Sequence, residues 1–185
     1  MSCNLYRQLQ PQPDLPEARY YGPYNTLFLS CFRRKHPPDF VTALHFDYPS
    51  ATPTFPHVCF VVSDLNTDPV LVAEIKDDDW ADRADLRAKA DDRMHQWFNA
   101  VLPDCRLPRV YGLSLLGTSL RVYVGNVATG EVEPAFVTCP SPGHTLPHDF
   151  LEGAWNIDIL SDEGFTKMKE IVGDIVANAA ALEIK

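Results

Sequence analysis

No stretch of about 18 apolar residues occurs in the 185-residue chain, so nothing in it reads as a membrane span. The opening residues, MSCNLYRQLQPQPD, lack the apolar segment of a secretory signal. The five cysteines (Cys3, Cys31, Cys59, Cys105 and Cys139) are odd in number and scattered, with no CxxC pair. That argues against a disulfide framework or zinc site and for free thiols in a reducing compartment. The expected location is intracellular, cytoplasmic or nuclear. Basic residues are few: 16 against 25 acidic ones, a net charge of −9. Affinity for nucleic acid comes largely from neutralising phosphates, so this balance weighs against a strong, non-specific binder. It leaves room for a nuclease, because a bound divalent cation dominates its local field. There is no Gly-rich phosphate loop, no Gly-x-Ser-x-Gly elbow, no His-Glu-x-x-His and no internal repeat.

What is present describes one globular domain: 45% hydrophobic and 22% charged residues, on a chain long enough to bury a substantial core. Residues 1–20, with Pro11, Pro13 and Pro16, read as an extended Pro-rich arm, and 21–185 as the domain. Gly22-Pro23 opens a helix whose apolar face is Tyr24, Leu27, Phe28 and Cys31. Arg33-Arg34-Lys35 suits the negative end of that helix's dipole, or alternatively a phosphate, and His36-Pro37-Pro38 stops it. Strands are expected at Phe40–Tyr48, His57–Ser63 and Pro69–Lys76, the last two joined by the turn-forming Asp64-Leu65-Asn66-Thr67-Asp68.

Trp80–Leu102 reads as a second helix, buried through Leu86, Ala90, Met94, Trp97 and Val101. Its mixed-charge face suits water, or Arg83, Arg87 and Arg93 border a site. Val110–Leu115 and Leu120–Val124 form a second hairpin, followed by a short strand near Val132–Val137. Residues 138–156 read as a long loop that packs over something. Ser161 caps a final helix with Phe165, Met168, Val172, Ile175, Val176 and Ala179 inward. The fold class is α/β (α+β): a central mixed sheet with helices on its faces, an extra hairpin and a C-terminal helix.

The informative stretch is Pro69–Asp79, PVLVAEIKDDD. An apolar strand delivers Glu74 and Lys76 at its far end, and period-2 geometry points both to one face. Burying two charges there costs stability, so the strand end either meets water or forms a site. A turn centred between Asn66 and Thr67 sets Cys59 opposite Glu74 and His57 opposite Lys76. One hairpin face is then wholly apolar (Val58, Phe60, Val62, Leu71, Ala73, Ile75), whereas His57, Cys59, Glu74 and Lys76 gather at one end of the other. Asp64 falls about 17 Å away along the strands and reads as a turn residue. Cys59 reads as a small buried apolar group rather than a nucleophile. His144 and His148 are spaced as loop residues in water, with a ligand role as the alternative.

Helix, three antiparallel strands, helix and strand, with Glu74-Ile75-Lys76 on the third strand, resemble the PD-(D/E)XK nuclease superfamily, the restriction-endonuclease-like fold, from about Tyr21 to Val124. The resemblance implies an αβββαβ core and metal-dependent hydrolysis of phosphodiester bonds in DNA or RNA. It makes Glu74 and Lys76 the catalytic pair, with Glu74 on a Mg²⁺ or Mn²⁺ ion and Lys76 orienting the attacking water. Phe55-Pro56-His57-Val58-Cys59-Phe60-Val61-Val62 looks like the family's Pro-Asp strand, with His57 where the metal-binding aspartate belongs. Histidine suits Mn²⁺ or a softer metal better than Mg²⁺. The site therefore uses His57, borrows Asp47 from the first strand, or has lost catalysis and become a binding module for a protein partner.

Pro38-Asp39 spells the family's pair but precedes the wrong strand, and Glu17 stands where some members carry a helical acid. Val110–Thr118, and Trp155 with Ile159-Leu160, are similar to uncharacterised fungal proteins of this fold. The partners implied are nucleic acid or protein, with no membrane; the sequence leaves oligomeric state open.

Overall fold

In the computed structural model, residues 16–32, 40–47, 57–64, 68–138 and 146–183 are described, with 44–47, 57, 58, 104 and 183 described by backbone alone. They form helix α1 (Ala18–Phe32), strands β1 (Phe40–Asp47), β2 (His57–Asp64) and β3 (Pro69–Lys76), helix α2 (Ala84–Val101), strands β4 (Arg109–Leu116) and β5 (Ser119–Asn126), two-residue strands β6 (Val132–Glu133) and β7 (Ile157–Asp158), and helix α3 (Asp162–Glu183). Strand order in the sheet is β1-β2-β3-β4-β5-β6, with β7 also on β5. β3 and β4 run parallel across the α2 crossover, and the other pairings are antiparallel. A mixed sheet with helices on its faces is thus the architecture, as expected. The Pro-rich arm through residue 15, Arg33–Pro38, Asp39 and His144 lie outside the described residues. No helix among those described is long and apolar enough to cross a membrane.

The hairpin register follows the strand patterning. Cys59 faces Glu74, Phe60 faces Ala73, Val61 faces Val72 and Val62 faces Leu71. Towards the turn the register shifts at Val62/Ser63, so Ser63 rather than Asp64 meets Pro69. Asp64 instead accepts the Asp68 backbone N–H at 3.0 Å, the turn role expected of it. One sheet face, through Phe60, Leu71, Ala73, Ile75, Leu113 and Leu115, is fully buried. Phe28 of α1 packs tilted against Phe60 there, with ring centroids 5.4 Å apart, and α3 adds Met168, Ile171 and Ile175 to the same core.

α1 begins four residues before the expected Gly22-Pro23 start, and Pro23 lies inside it. The chain is already turning at Glu17, whose carbonyl accepts the Tyr20 N–H at 3.0 Å. Pro23, the sixth residue of α1, removes one N–H bond and crowds the carbonyl four residues back, and the packing of Tyr21, Tyr24 and Phe28 holds the helix on either side of it. The buried face is Tyr21, Tyr24, Phe28 and Phe32; Leu27 and Cys31 are half-buried beside it.

α2 departs further from expectation. Residues 78–80 form a separate 3₁₀ turn, and the buried stripe is Arg87, Ala88, Ala90, Asp91, Met94, His95 and Phe98 rather than Leu86, Trp97 and Val101. Arg87 donates to the carbonyls of His148 (2.7 Å) and Phe150 (2.9 Å), fastening residues 148–150 over the start of α2. That is what the described part of the long loop packs on. In α3, Ser161 Oγ accepts the Gly164 N–H at 3.1 Å as an N-cap. Phe165, expected inside, is instead 62% exposed beneath the Lys169 ammonium, because the apolar face is set by Met168, Ile171, Val172 and Ile175.

α2 lies unusually close to the sheet because two strand positions have no side chain. A β-carbon on Gly112 would come within 2.5 Å of Met94 Sδ, and one on Gly125 within 2.6 Å of Phe98. Gly112→Ala is expected to destabilise the fold by about 1–3 kcal/mol through overpacking. Urea unfolding reads this directly, and Gly22→Ala, where nothing lies within 4 Å of an added β-carbon, is the control.

Candidate functional site

The site forms where β3 ends beside the start of α1. Glu74 is the last residue but two of a strand buried almost throughout, and Lys76 closes it. Both are buried: Glu74 is 8% exposed and Lys76 3%. An unpaired charge at such depth would cost several kcal/mol, so each must find a partner. Lys76 Nζ lies 3.3 Å from Glu17 Oε1 and 3.9 Å from Glu74 Oε1. Arg93 Nη1, from the α2 face turned towards β3, donates to Glu74 Oε1 at 2.8 Å. Trp80 covers the group, its ring centroid 5.3 Å from Lys76 Nζ and 5.7 Å from the Arg93 guanidinium. Cation–π attraction is strongest when desolvated, which helps hold both cations here.

Backbone contacts lock this end of the sheet. Gly117, at φ +62° in the β4–β5 turn, donates its N–H to the Lys76 carbonyl at 2.9 Å. Its own carbonyl accepts Tyr24 Oη at 2.7 Å, tying α1 to the same corner. Parallel pairing sets Ser114 beside Glu74, and Ser114 Oγ accepts the Trp155 indole N–H at 3.1 Å. Asp77 caps the following 3₁₀ turn through the Asp79 N–H (3.3 Å). Asp77, Asp78 and Asp79 bring their carboxylates within 4.8 Å of one another, but Arg19 is bonded to Asp78 and lies 3.0 Å from Asp77, so part of this charge is compensated.

Burial dominates the electrostatics. It raises the Glu74 carboxyl to about 7, with Lys76 opposing and the Glu17 carboxylate adding to the rise. It lowers Arg93 to about 10, against the pull of Glu17. It also raises the Tyr21 phenol, reinforced by Glu17 and then Glu74. Tyr21 is therefore a neutral O–H donor near two carboxylates, buried, with no hydrogen-bond partner among the described residues.

Of the residues picked from the sequence, Glu74 and Lys76 are brought together as expected. Glu17, a minor candidate there, joins them directly. Arg93, one of three arginines considered as a border, contacts Glu74; Arg87 holds a loop, and Arg83 pairs with Asp85 at 2.9 Å in water. Asp47 and His57 face each other in the β1–β2 register, with His57 two residues from Cys59, but their side chains lie outside the described residues. Trp80, Tyr21 and Ser114 were not anticipated, because nothing local distinguishes them from ordinary core residues.

The donor set suits a hard cation. Glu17 and Glu74 offer carboxylate oxygens, the ligand class that Mg²⁺ and Mn²⁺ prefer. No family model, curated protein or solved structure matches this chain.

Proposed function

We propose that this chain is a PD-(D/E)XK nuclease-like protein that hydrolyses phosphodiester bonds of DNA or RNA with a Mg²⁺ or Mn²⁺ ion. The observation that carries this reading is the convergence of Glu17 and Glu74 on the Lys76 ammonium. Where the family's strand-two aspartate is replaced by His57, a second carboxylate comes from ahead of α1 instead. Support also comes from the element order α1-β1-β2-β3-α2-β4 with a parallel β3–β4 pair, the order of the αβββαβ restriction-endonuclease-like core.

Glu74 and Glu17 would hold the ion, with Asp47 or His57 as a further ligand from the neighbouring strands. A divalent cation bound there supplies Lewis-acid polarisation of a phosphate oxygen. Lys76, fixed by Glu17 and screened by Trp80, holds an ammonium donor where an attacking water must be oriented, and positioning of that kind supplies much of the rate. Arg93, paired with Glu74 and one-fifth exposed at its side chain, would help balance the phosphate charge.

Isothermal titration with Mn²⁺ tests the ligand assignment. Glu74→Gln and Glu17→Gln are each expected to weaken Mn²⁺ binding at least about tenfold, roughly 1.4 kcal/mol. Unchanged affinity in both variants would remove this site from consideration.

One observation favours a second reading, a catalytically degenerate binding module. Arg93 already sits on Glu74, so two glutamates, one lysine and one arginine balance without a metal. On that reading the wild type binds no Mn²⁺, and Arg93→Met, which strips the resident cation from Glu74, creates binding.

A further inference from the structure

A second polar feature lies away from Glu74, between α2 and the segment that carries β6. It is an open cleft of about 600 Å³ whose walls include Asp92 and Asn99 of α2, Glu131 and Glu133 from the strand side, and Phe136. No lysine or arginine lines it among the described residues. His95 lines it too and is 8% exposed, with neither ring nitrogen hydrogen-bonded. Its ring stands edge-on to Tyr123 (5.5 Å) and tilted against Phe136 (5.4 Å). Burial lowers its affinity for a proton, with Asp91 opposing, so the neutral ring keeps an acceptor nitrogen.

Next to it, Asp91 is already engaged: Tyr123 Oη donates to its Oδ1 at 2.8 Å and Arg121 Nη1 lies 3.1 Å from the same oxygen. The imidazole acceptor nitrogen wants a donor, and the acidic walls want positive charge. Exposed Phe136, with Val137 following it, offers an apolar wall for an aliphatic stem. Asp92 to Asn99 spans about 10 Å of helix, the length of roughly three residues of extended chain.

We propose that this cleft binds an arginine-bearing peptide segment of a partner protein, with a guanidinium donating to His95 between the carboxylates of Asp92, Glu131 and Glu133. The planar fork of arginine matches carboxylates in pairs and stacks on an aromatic wall, which an ammonium does less well. The proposal is independent of the nuclease reading, because none of these residues contacts Glu17, Glu74 or Lys76.

The test is fluorescence anisotropy of a labelled arginine-rich dodecapeptide against the full chain in about 0.1 M salt, where long-range attraction to the acidic surface is largely screened. The Glu131→Gln/Glu133→Gln variant is expected to bind about tenfold more weakly. His95→Phe, which removes no hydrogen bond from the fold, is expected to lose about fivefold. The control variant Glu152→Gln/Glu163→Gln, which neutralises exposed acids elsewhere, should bind within about twofold of wild type. The same peptide with citrulline for arginine should not bind.

Equal weakening in the cleft and control variants would reduce the interaction to general charge attraction and overturn the proposal. Unchanged binding by His95→Phe, or no binding by wild type, would overturn it too. Spermine binding tighter than the peptide, and lost in the cleft variant, would overturn the peptide in favour of a free polyamine.

Discussion

Lys76→Met is expected to lower the unfolding free energy by about 3–5 kcal/mol at pH 8 and by much less at pH 5. The substitution nearly preserves the stem but leaves two buried carboxylates, Glu17 and Glu74, with Arg93 as the remaining cation. Breaking a buried pair costs this much because the surviving charge keeps its desolvation penalty.

The pH dependence follows from Glu74, which burial raises from 4.5 to about 7. A carboxyl that holds its proton more tightly when folded favours the fold fully below about pH 4.5. That contribution fades as pH rises through about 7. Removing Lys76 takes away the main opposing influence, so the folded carboxyl rises further and the loss at high pH deepens. At pH 5 a protonated Glu74 no longer needs the ammonium. Urea titrations of both proteins at the two pH values measure the gap. A gap that does not change with pH would mean Lys76 acts through Glu17 or through packing, and the coupling to Glu74 drawn here would be wrong.

The second large effect lies on the other side of α2. Asp91, 1% exposed, stands 3.1 Å from Arg121 Nη1 and accepts Tyr123 Oη at 2.8 Å. The Arg121 guanidinium is itself sandwiched, 5.0 Å from the Tyr123 ring centroid and 5.2 Å from that of Trp155. Asp91→Ala leaves this guanidinium buried and unpaired, with an expected cost of about 3–5 kcal/mol. Asp91→Leu/Arg121→Met, which replaces both charges by apolar groups, is expected to recover at least half of that loss. Apolar replacement of a whole buried pair is often nearly neutral, unlike removal of one partner. With the single variants Asp91→Leu and Arg121→Met measured beside it, the double variant gives the coupling. If the double variant is as unstable as the sum of its parts, the pair acts through packing.

These buried charges also explain what the sequence concealed. The β2–β3 hairpin was legible because strand alternation and a polar turn are local, and four cross-strand partners came out as expected. The shift at Ser63 was not, since a bulge changes register without changing the apolar pattern. In α2 the apolar periodicity pointed to Leu86, Trp97 and Val101. The helix is rotated from that stripe because Arg87 and Asp91 are buried by partners 61 and 32 residues away along the chain. No local window contains those partners.

The site divides in the same way. Glu74 and Lys76 stand out as charges on an apolar strand, and period 2 puts them on one face. Glu17 had only its place ahead of a helix to recommend it. Its burial depends on α1 starting at Ala18, which the proline at position 23 disguised. Arg93 looked like one solvated arginine among several until the packing of α2 brought it to Glu74.

The most direct measurement of the central claim is hydrolysis of labelled single- and double-stranded DNA and RNA in Mn²⁺ and in Mg²⁺, comparing wild type with Glu74→Gln and Lys76→Met. A cation-dependent phosphodiesterase site predicts cleavage by the wild type and loss of at least about a thousandfold in each variant, of the order of 4 kcal/mol of transition-state stabilisation. Cleavage that persists in both variants, or a wild type that neither cleaves nor binds Mn²⁺, would contradict it.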